Sequence, residues 1–237
     1  MEKFMEKRKK IHGMDEIAYV LGMIFCAFAV CIGTKANLGI SVVAVPGYLY
    51  SYILGGEGGL LPWLTQGWAD FLWQVIQLGI MCLIIMKFKV KYLLSFVSSF
   101  IGGRLIDLWF WVLGGNGAYE NIVARIFALI ASQLCLGFAV TLFFRTTLPI
   151  QICELLMVET SKKFKISASK MKLIYDIIIL VLSLAISLIF THGLTGIGVG
   201  TIVIAVCTSP LTMLFGKILD RFFVFDSIFK KRRNKAE

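Results

Sequence analysis

Charged side chains within strongly apolar sequence are the residues of this chain that could do chemistry. Arg104 and Asp107, in the stretch GGRLIDLW, are three residues apart, so they share one face of a helix. A charge at the centre of a membrane helix costs about 2.5–3.5 kcal/mol on insertion scales, and such charges therefore often mark functional sites. The pair predicts either a charged lining for a solute path or an internal ion pair, with Arg125 as a further partner, that holds helices together.

A second polar group lies in the short stretch TLPIQICELLMV. Gln151 and Glu154 are three residues apart, so both side chains face the same way on a helix. A carboxylate at that place could bind a cation or relay protons, and the alternative is an amphipathic helix whose polar face lies in interfacial water. Gln133, in the middle of a long apolar run, is typical of a hydrogen bond between helices.

A sequence motif that occurs twice in the chain contains two basic residues at equivalent positions. AFAVCIGTKANLGI, residues 27–40, recurs 110 residues later as GFAVTLFFRTTLPI, residues 137–150, and the copies share Phe, Ala, Val, a basic residue, Leu and Ile. The basic residues are Lys35 and Arg145. Later stretches match at offsets of 102 and 106, so the sequence predicts a duplicated unit.

Lys35 and Arg145 each follow the last turn of a predicted spanning helix. Positive charge there complements the negative C-terminal end of the helix dipole, which is a structural interpretation. Each also precedes polar residues, Asn37 in one copy and Thr146 and Thr147 in the other, that could cap the next short helix. A cap, a helix N-terminus and a basic side chain together predict a place for an anionic group of a solute.

Asp176 is a further candidate, about one turn inside an apolar run. Lys172 precedes it by four residues, so an ion pair along one helix face is one interpretation. At the offset of 102, Gln74 is its counterpart in the first half, and two polar residues in equivalent places are also typical of a shared cavity. Both interpretations stay open at this point.

Other kinds of chemistry find no support in the sequence. The six cysteines all lie in apolar segments without C-x-x-C spacing, and the two histidines are His12 and His192. Neither a metal centre nor a disulfide framework is expected. No G-K-[ST] pattern indicates a nucleotide loop, and no nucleophile or acid–base set has credible spacing. We therefore expect no catalytic residues, no cofactor and no enzymatic activity.

The composition requires a bilayer to position these residues. The chain is 58% hydrophobic and 16% charged, with a mean hydropathy of +0.85. A soluble domain is about half apolar and about a quarter charged. Apolar runs long enough to span a membrane predict six helices. They lie at about 16–34, 68–87, 92–113, 122–144, 171–190 and 196–218.

The basic residues predict how the chain crosses the membrane. With the N-terminus in the cytoplasm, all of the 24 Lys and Arg residues except Lys35, Arg104 and Arg125 fall on the cytoplasmic side. Much of the net charge of +10 lies in the tails 1–15 and 223–237, where anionic lipid is the expected partner and nucleic acid is not. We expect a multi-pass protein of the cell membrane with both termini cytoplasmic.

Two shorter apolar pieces complete the predicted architecture. Residues 38–54 and 147–158 each contain a proline, and full spanning by the first would place the basic loop 87–91 outside. The second piece is too short to cross as a helix. We predict an all-α polytopic membrane protein of two inverted three-helix repeats, 16–113 and 122–222. Each repeat has one short broken or re-entrant half-helix, and the two half-helices lie on opposite sides of the membrane.

Several of these stretches resemble a known family. KANLGISVVAVP in the first half, GIGVGTI at 196–202 and the six-helix layout are similar to the YczE/YyaS/YitT group of bacterial integral membrane proteins, over roughly residues 16–222. The group repeats a G-x-G-T pattern, which the second half has as Gly198, Gly200 and Thr201 and from which the first half departs. The resemblance implies a polytopic inner-membrane protein of unestablished activity, and it supplies neither a substrate nor catalytic residues.

The sequence favours transport over other functions. The leading hypothesis is a small secondary transporter or channel for a small, anionic solute, with its site near the membrane midplane between the inverted halves. One alternative is a substrate-binding membrane subunit of an energy-coupled vitamin-type importer, and another is an accessory or regulatory membrane protein without transport. The residues expected to contact a solute are Lys35, Asn37, Gln74, Arg104, Asp107, Gln133, Arg145, Thr147, Gln151, Glu154 and Asp176.

Overall fold

The fold is a bundle of α-helices, given by a computed structural model. It describes residues 11–12, 15–56, 59–86, 91–115, 117–146, 148, 150–166 and 168–224 of the 237-residue chain. In these residues the helices are α1 (Asp15–Ala36), α2 (Val45–Leu54), α3 (Gln66–Ile85), α4 (Lys91–Val112), α5 (Ile122–Phe143), α6 (Ile152–Phe164), α7 (Ala168–Thr191) and α8 (Val199–Phe222). Two-residue strands, β1 (Ile11–His12) and β2 (Phe223–Val224), complete the described elements.

Six of these helices are long and apolar enough to cross a membrane: α1, α3, α4, α5, α7 and α8. They confirm the six predicted spanning helices and differ from the predicted bounds by a few residues at each end. Their outer faces carry large apolar side chains, such as Leu83 at 80% exposed and Trp111 at 79%. Such faces suit contact with lipid, and the backbone groups of a helix are satisfied within it, as a bilayer requires. The protein is a polytopic membrane protein.

The short helix α2 begins later than predicted, at Val45 rather than at residue 38. The chain leaves α1 through Asn37 and Gly39, whose φ angles of 49° and 120° are left-handed and stop a helix. Pro46 then fits the first turn of α2, where its missing N–H has no helical partner to bond. In the second half, α6 covers Ile152–Phe164 rather than 147–158.

The predicted caps of the short helices are wrong. Ala44 is the N-cap of α2 and Gln151 is the N-cap of α6, and neither side chain makes a capping bond. Asn37 instead ends α1, and the Thr146 hydroxyl accepts a bond from a backbone N–H two residues on. Thr147 lies outside the described residues. The connections are longer than predicted, so the polar residues lie too early in the chain to cap the helices.

α1 and α5 pack against each other and run antiparallel. The ring of Tyr19, near the start of α1, lies 6.4 Å from that of Phe143, the last residue of α5. The Ser132 hydroxyl donates to the Ala29 carbonyl over 2.7 Å, and a Cβ on Gly33 would lie 2.7 Å from that hydroxyl. Small residues therefore bring the two backbones close, as is common between membrane helices. α4 packs on α1, and α8 packs on α5.

The short helices start in the middle of the bundle and run towards opposite ends. The Ile152 N–H, at the start of α6, donates to Ser99 Oγ in the middle of α4 over 3.0 Å. Near the end of α6, Lys163 Nζ donates to the carbonyl of Ile84, at the end of α3. Before α2, Val42 belongs to a buried cluster with residues of α3, α4, α6 and α7. α2 then ends beside the turn that leads into α3.

The first and last described segments meet at one end of the bundle. β1 and β2 pair in parallel, with Ile11 opposite Phe223. Beside them, Ala18 near the start of α1 packs with Leu219 near the end of α8. An even number of crossings brings the first and last described segments to the same side, in agreement with the six spanning helices.

Candidate functional site

A cavity with several polar side chains in a mainly apolar wall lies in the middle of the bundle, where the starting ends of α2 and α6 arrive. Its volume is about 70 Å³, which is room for roughly two water molecules at their liquid volume. Seven helices and the segment before α2 contribute to its wall, and we call it the inner cavity. It is lined by Cys26, Ala27, Val30, Ser41, Val43, Ala44, Asp70, Trp73, Gln74, Gln77, Gly102, Ile106, Leu136, Val140, Phe144, Gln151, Cys153, Glu154, Met157, Lys172 and Thr208.

α3 presents a polar stripe to the inner cavity. Asp70, Trp73, Gln74 and Gln77 are spaced by three and four residues, so they lie on one face of the helix. A Cβ added to Gly47 in α2 would lie 2.8 Å from the Asp70 Cα, so the glycine lets α2 approach this stripe closely. The stripe is thus held between α2 on one side and the cavity on the other.

A chain of hydrogen bonds links the stripe to the start of α6. Gln74 Nε2 donates to Asp70 Oδ2 over 2.8 Å, and Ser99 Oγ donates to Gln74 Oε1 over 2.6 Å. Ser99 in turn accepts the Ile152 N–H, one of the donors that a helix start leaves without an intrahelical partner. Three helices, α3, α4 and α6, are therefore joined by buried polar bonds at the cavity wall.

Glu154 and Lys172 form another part of the wall. The Glu154 side chain is buried, and Cys153 Sγ donates to its Oε2 over 2.8 Å. Lys172 Nζ donates to Asp176 Oδ2 over 2.8 Å. This is the ion pair along one helix face that the i,i+4 spacing predicted. Asp176 itself is not among the lining residues, so its predicted counterpart Gln74 reaches the cavity and Asp176 does not.

Two side chains of the stripe carry polar atoms without a partner. In the described part of the chain, Trp73 Nε1 and both amide heteroatoms of Gln77 make no hydrogen bond. Trp73 is 4% exposed and Gln77 is 1% exposed, so bulk water does not satisfy them. Leaving a buried polar group unpaired costs about 1–3 kcal/mol, and a turn of these side chains towards the inner cavity would let a water or solute group remove that cost.

A second, larger cavity adjoins the first and is called the vestibule. Its volume is about 420 Å³, and it lies among α5, α6, α7 and α8, with Asp220 near the end of α8 in its wall. Arg145 donates two hydrogen bonds to Asp220 there, each of 2.7 Å. Both cavities are lined by Val140, Phe144, Glu154, Met157, Lys172 and Thr208. The vestibule therefore adjoins the inner cavity from the end of the bundle where β1 and β2 meet.

Many residues of the inner cavity are related by the offsets of the sequence repeat. The offset of 102 pairs Asp70 with Lys172, and the offset of 106 pairs Gly102 with Thr208. At the offset of 110 the lining pairs are Cys26 and Leu136, Val30 and Val140, Ser41 and Gln151, Val43 and Cys153, and Ala44 and Glu154. Two thirds of the wall thus consists of residues in equivalent sequence positions.

Arg104 and Asp107 lie away from the inner cavity and form an ion pair, as one of the two interpretations of the sequence predicted. Arg104 Nη2 is 2.8 Å from Asp107 Oδ2, and its guanidinium stacks 4.0 Å from the Trp68 ring. Asp107 also accepts the Gly67 N–H at 2.9 Å, so its carboxylate satisfies the start of α3. Arg125, the further partner considered, instead donates to the carbonyl of residue 119.

Lys35 and Arg145 have the same structural role in the two halves. Lys35 Nζ donates to the Leu113 and Gly115 carbonyls, at 3.1 and 2.7 Å, just after α4 ends. Arg145 binds Asp220 in the last turns of α8. Each basic residue thus holds the C-terminal end of the last helix of its own half, where positive charge is favourable.

Gln133 and Asn37 also lie away from the inner cavity. Gln133 Nε2 donates to Thr208 Oγ1 over 3.2 Å, which joins α5 to α8 as a bond between helices. Asn37 is exposed at the end of α1. Of the described residues expected to contact a solute, Gln74, Gln151 and Glu154 line the inner cavity.

Sequence reasoning missed Asp70 and two of its neighbours on the stripe. Asp70 lies near the edge of the predicted span 68–87, where a carboxylate is expected to reach water. A signal was present, because the offset that aligns Gln74 with Asp176 also aligns Asp70 with Lys172, one turn earlier. Two consecutive polar pairs on one helix face would have indicated the cavity.

These features define a polytopic membrane protein whose spanning helices surround a small cavity with polar side chains in its wall. Residues 14–217 match the model of a family described as a family of unknown function, DUF6198, and the chain belongs to that family. Neither a curated protein nor a solved structure matched the chain. The family description assigns no activity, so a function has to be argued from the cavity itself.

Proposed function

We propose that this protein is a small secondary transporter whose solute site is the inner cavity. The observation that carries the proposal is the polar cavity at the meeting point of α2 and α6, with unpartnered groups on Trp73 and Gln77 and a vestibule leading to it. Binding sites of secondary transporters lie near the membrane midplane, where discontinuous helices meet. A protein without a solute would gain little from unpaired polar atoms at that depth.

The proposed architecture is an inverted repeat in which α2 and α6 are re-entrant half-helices. α1 and α5 are antiparallel equivalents, and α4 and α8 pack on them in the same way. The wall residues pair at the sequence offsets, as expected if the inner cavity lies on a pseudo-two-fold axis. Such an axis supports alternating access, because rocking one half against the other exposes a fixed site to each side in turn. The resemblance to the YczE/YyaS/YitT group stays a prediction.

The charges at the cavity favour a neutral or cationic solute over the anionic one that the sequence pattern suggested. Asp70 and Glu154 both face the inner cavity. Lys35 and Arg145, on which the anion hypothesis rested, bind backbone carbonyls and Asp220 instead. A volume of about 70 Å³ suits a solute of a few non-hydrogen atoms, with polar groups that can bond the Gln77 amide.

We place the end of the bundle where β1 and β2 meet, and with it the vestibule, in the cytoplasm. The support is the distribution of basic residues, which lie almost entirely on that side in the predicted topology. The vestibule then opens towards the cytoplasm, and the described structure corresponds to an inward-facing state of a protein in the cell membrane.

The test is a solute screen followed by flux measurements on the purified full chain. Small amines, amides and neutral metabolites are ranked by the rise in melting temperature that they produce, and hits are assayed for uptake into proteoliposomes. We expect Gln77→Leu to abolish flux of the best hit, because it removes both unpartnered amide atoms at nearly constant volume. The control is Leu83→Gln, which places an amide on the exposed outer face of the same helix.

Three results would contradict the proposal in different ways. Equal flux by Gln77→Leu and the unmodified protein would show that the inner cavity is not the solute site. Tight binding of a hit without flux would favour the substrate-binding subunit of an importer. A cavity that binds none of the screened solutes, in a folded protein, would favour an accessory membrane protein.

A further inference from the structure

We propose that Asp70 and Glu154 form a proton-binding site that drives transport through the inner cavity. The coupling of protons to a solute rests on the transport function proposed above, whereas proton binding itself does not. The chemical step is the transfer of a proton from water to a carboxylate oxygen, which gives a neutral carboxylic acid and requires no other reactant.

The first argument is the balance of charge around the cavity. The titratable residues of its lining come from α1, α3, α6 and α7. They are Cys26, Asp70, Cys153, Glu154 and Lys172. The described lining residues of α4, α5, α8 and the segment before α2 include no titratable group. Lys172 is the cation among these described residues, and its ammonium is already bonded to Asp176 at 2.8 Å. Asp70, Glu154 and Asp176 therefore have one lysine among them, and this excess of negative charge inside a membrane bundle is costly unless protons bind.

The second argument is the unpartnered amide of Gln77. It is 1% exposed and borders the same cavity as both carboxylates, with a donor and an acceptor that no described protein atom satisfies. Water can satisfy both when the amide turns towards the cavity, and the cavity has room for roughly two water molecules. Ordered water between the carboxylates would carry a proton from one to the other.

The third argument is access from one side. Glu154 lines both the vestibule and the inner cavity, whereas Asp70 lines the inner cavity and is not among the vestibule residues. Glu154 is therefore the group that first meets protons from the vestibule, and Asp70 is the deeper acceptor. Hydrogen bonds from Gln74 to Asp70 and from Cys153 to Glu154 orient the two carboxyl groups.

The test of proton binding is infrared spectroscopy of the purified full chain at neutral pH. A protonated carboxyl group has a carbonyl stretching band that an ionised carboxylate lacks. We expect this band in the unmodified protein, and we expect Asp70→Asn and Glu154→Gln each to remove a part of it. Glu120→Gln is the control, because Glu120 is exposed and lines neither cavity.

Absence of the band, or a band unchanged in both variants, would overturn the site. A band that disappears when sodium replaces choline in the buffer would also overturn it, because the ligand would then be a metal cation. Melting temperatures close to that of the unmodified protein show that the variants fold.

The test of coupling uses proteoliposomes with a pH-sensitive dye inside and an imposed membrane potential. The best solute from the screen should increase the proton flux several-fold in the unmodified protein and in Glu120→Gln, and should have no effect in Asp70→Asn. Solute flux without any proton movement would overturn the coupling. The infrared result is independent of solute, so failure of the transport function and failure of the proton site give different outcomes.

Discussion

Replacement of Ser99 by alanine tests whether α6 begins inside the bundle. Ser99 is 0% exposed and lies in the middle of α4. Its hydroxyl donates to Gln74 Oε1 at 2.6 Å and accepts the Ile152 N–H at 3.0 Å, so it joins α4 to both α3 and α6. Alanine keeps the helix and the packing but removes both bonds.

The expected loss is about 2 kcal/mol in the free energy of unfolding. A hydrogen bond between membrane helices contributes about 0.6 kcal/mol on average, and an orphaned buried group costs about 1–3 kcal/mol. Gln74 borders the inner cavity and can turn to water there, so its part of the loss is small. The Ile152 N–H has no intrahelical alternative at the start of α6 and accounts for most of the loss.

Ser95→Ala is the matched control. Ser95 is one turn earlier on the same helix and 1% exposed, but its hydroxyl has no hydrogen-bond partner in the described structure. Its removal should leave stability unchanged or slightly higher. Both variants are compared by reversible denaturation in mixed detergent micelles, followed by tryptophan fluorescence. If Ser99→Ala were no less stable than Ser95→Ala, the contact between α6 and the middle of α4 would be refuted.

Three further predictions concern packing, helix ends and access. Gly67→Ala should lower stability by several kcal/mol, because its Cβ would overlap the backbone carbonyl of Gly103. Melting curves should show no such loss for Gly79→Ala, where a Cβ meets nothing within 4 Å. Lys35→Met should lower the free energy of unfolding by about 1–3 kcal/mol, because two carbonyls after α4 lose their donor; an unchanged value would contradict that role. With all six cysteines replaced by serine, a cysteine introduced as Ser209→Cys in the vestibule wall should react with a small membrane-impermeant thiol reagent faster from the side where β1 and β2 meet, and equal rates from both sides would contradict access through the vestibule.

The sequence by itself determined the membrane class and the spanning helices. Apolar runs of about twenty residues have one stable form in a bilayer, since every backbone group must be satisfied within the segment. The bounds of α3 and α5 therefore follow closely from composition. The i,i+3 pair of Arg104 with Asp107 and the i,i+4 pair of Lys172 with Asp176 also follow from sequence, because helix geometry fixes such neighbours.

Only the tertiary structure decided which polar residues meet. Lys35 and Arg145 were candidates for a solute site, but their reach to the ends of α4 and α8 depends on how the helices pack. Conversely, Asp70 and Gln77 became part of a cavity because α2 and α6 start in the middle of the bundle beside α3. Periodicity places a side chain on a face of its own helix, but the partner of that face is set by packing between segments far apart in the chain.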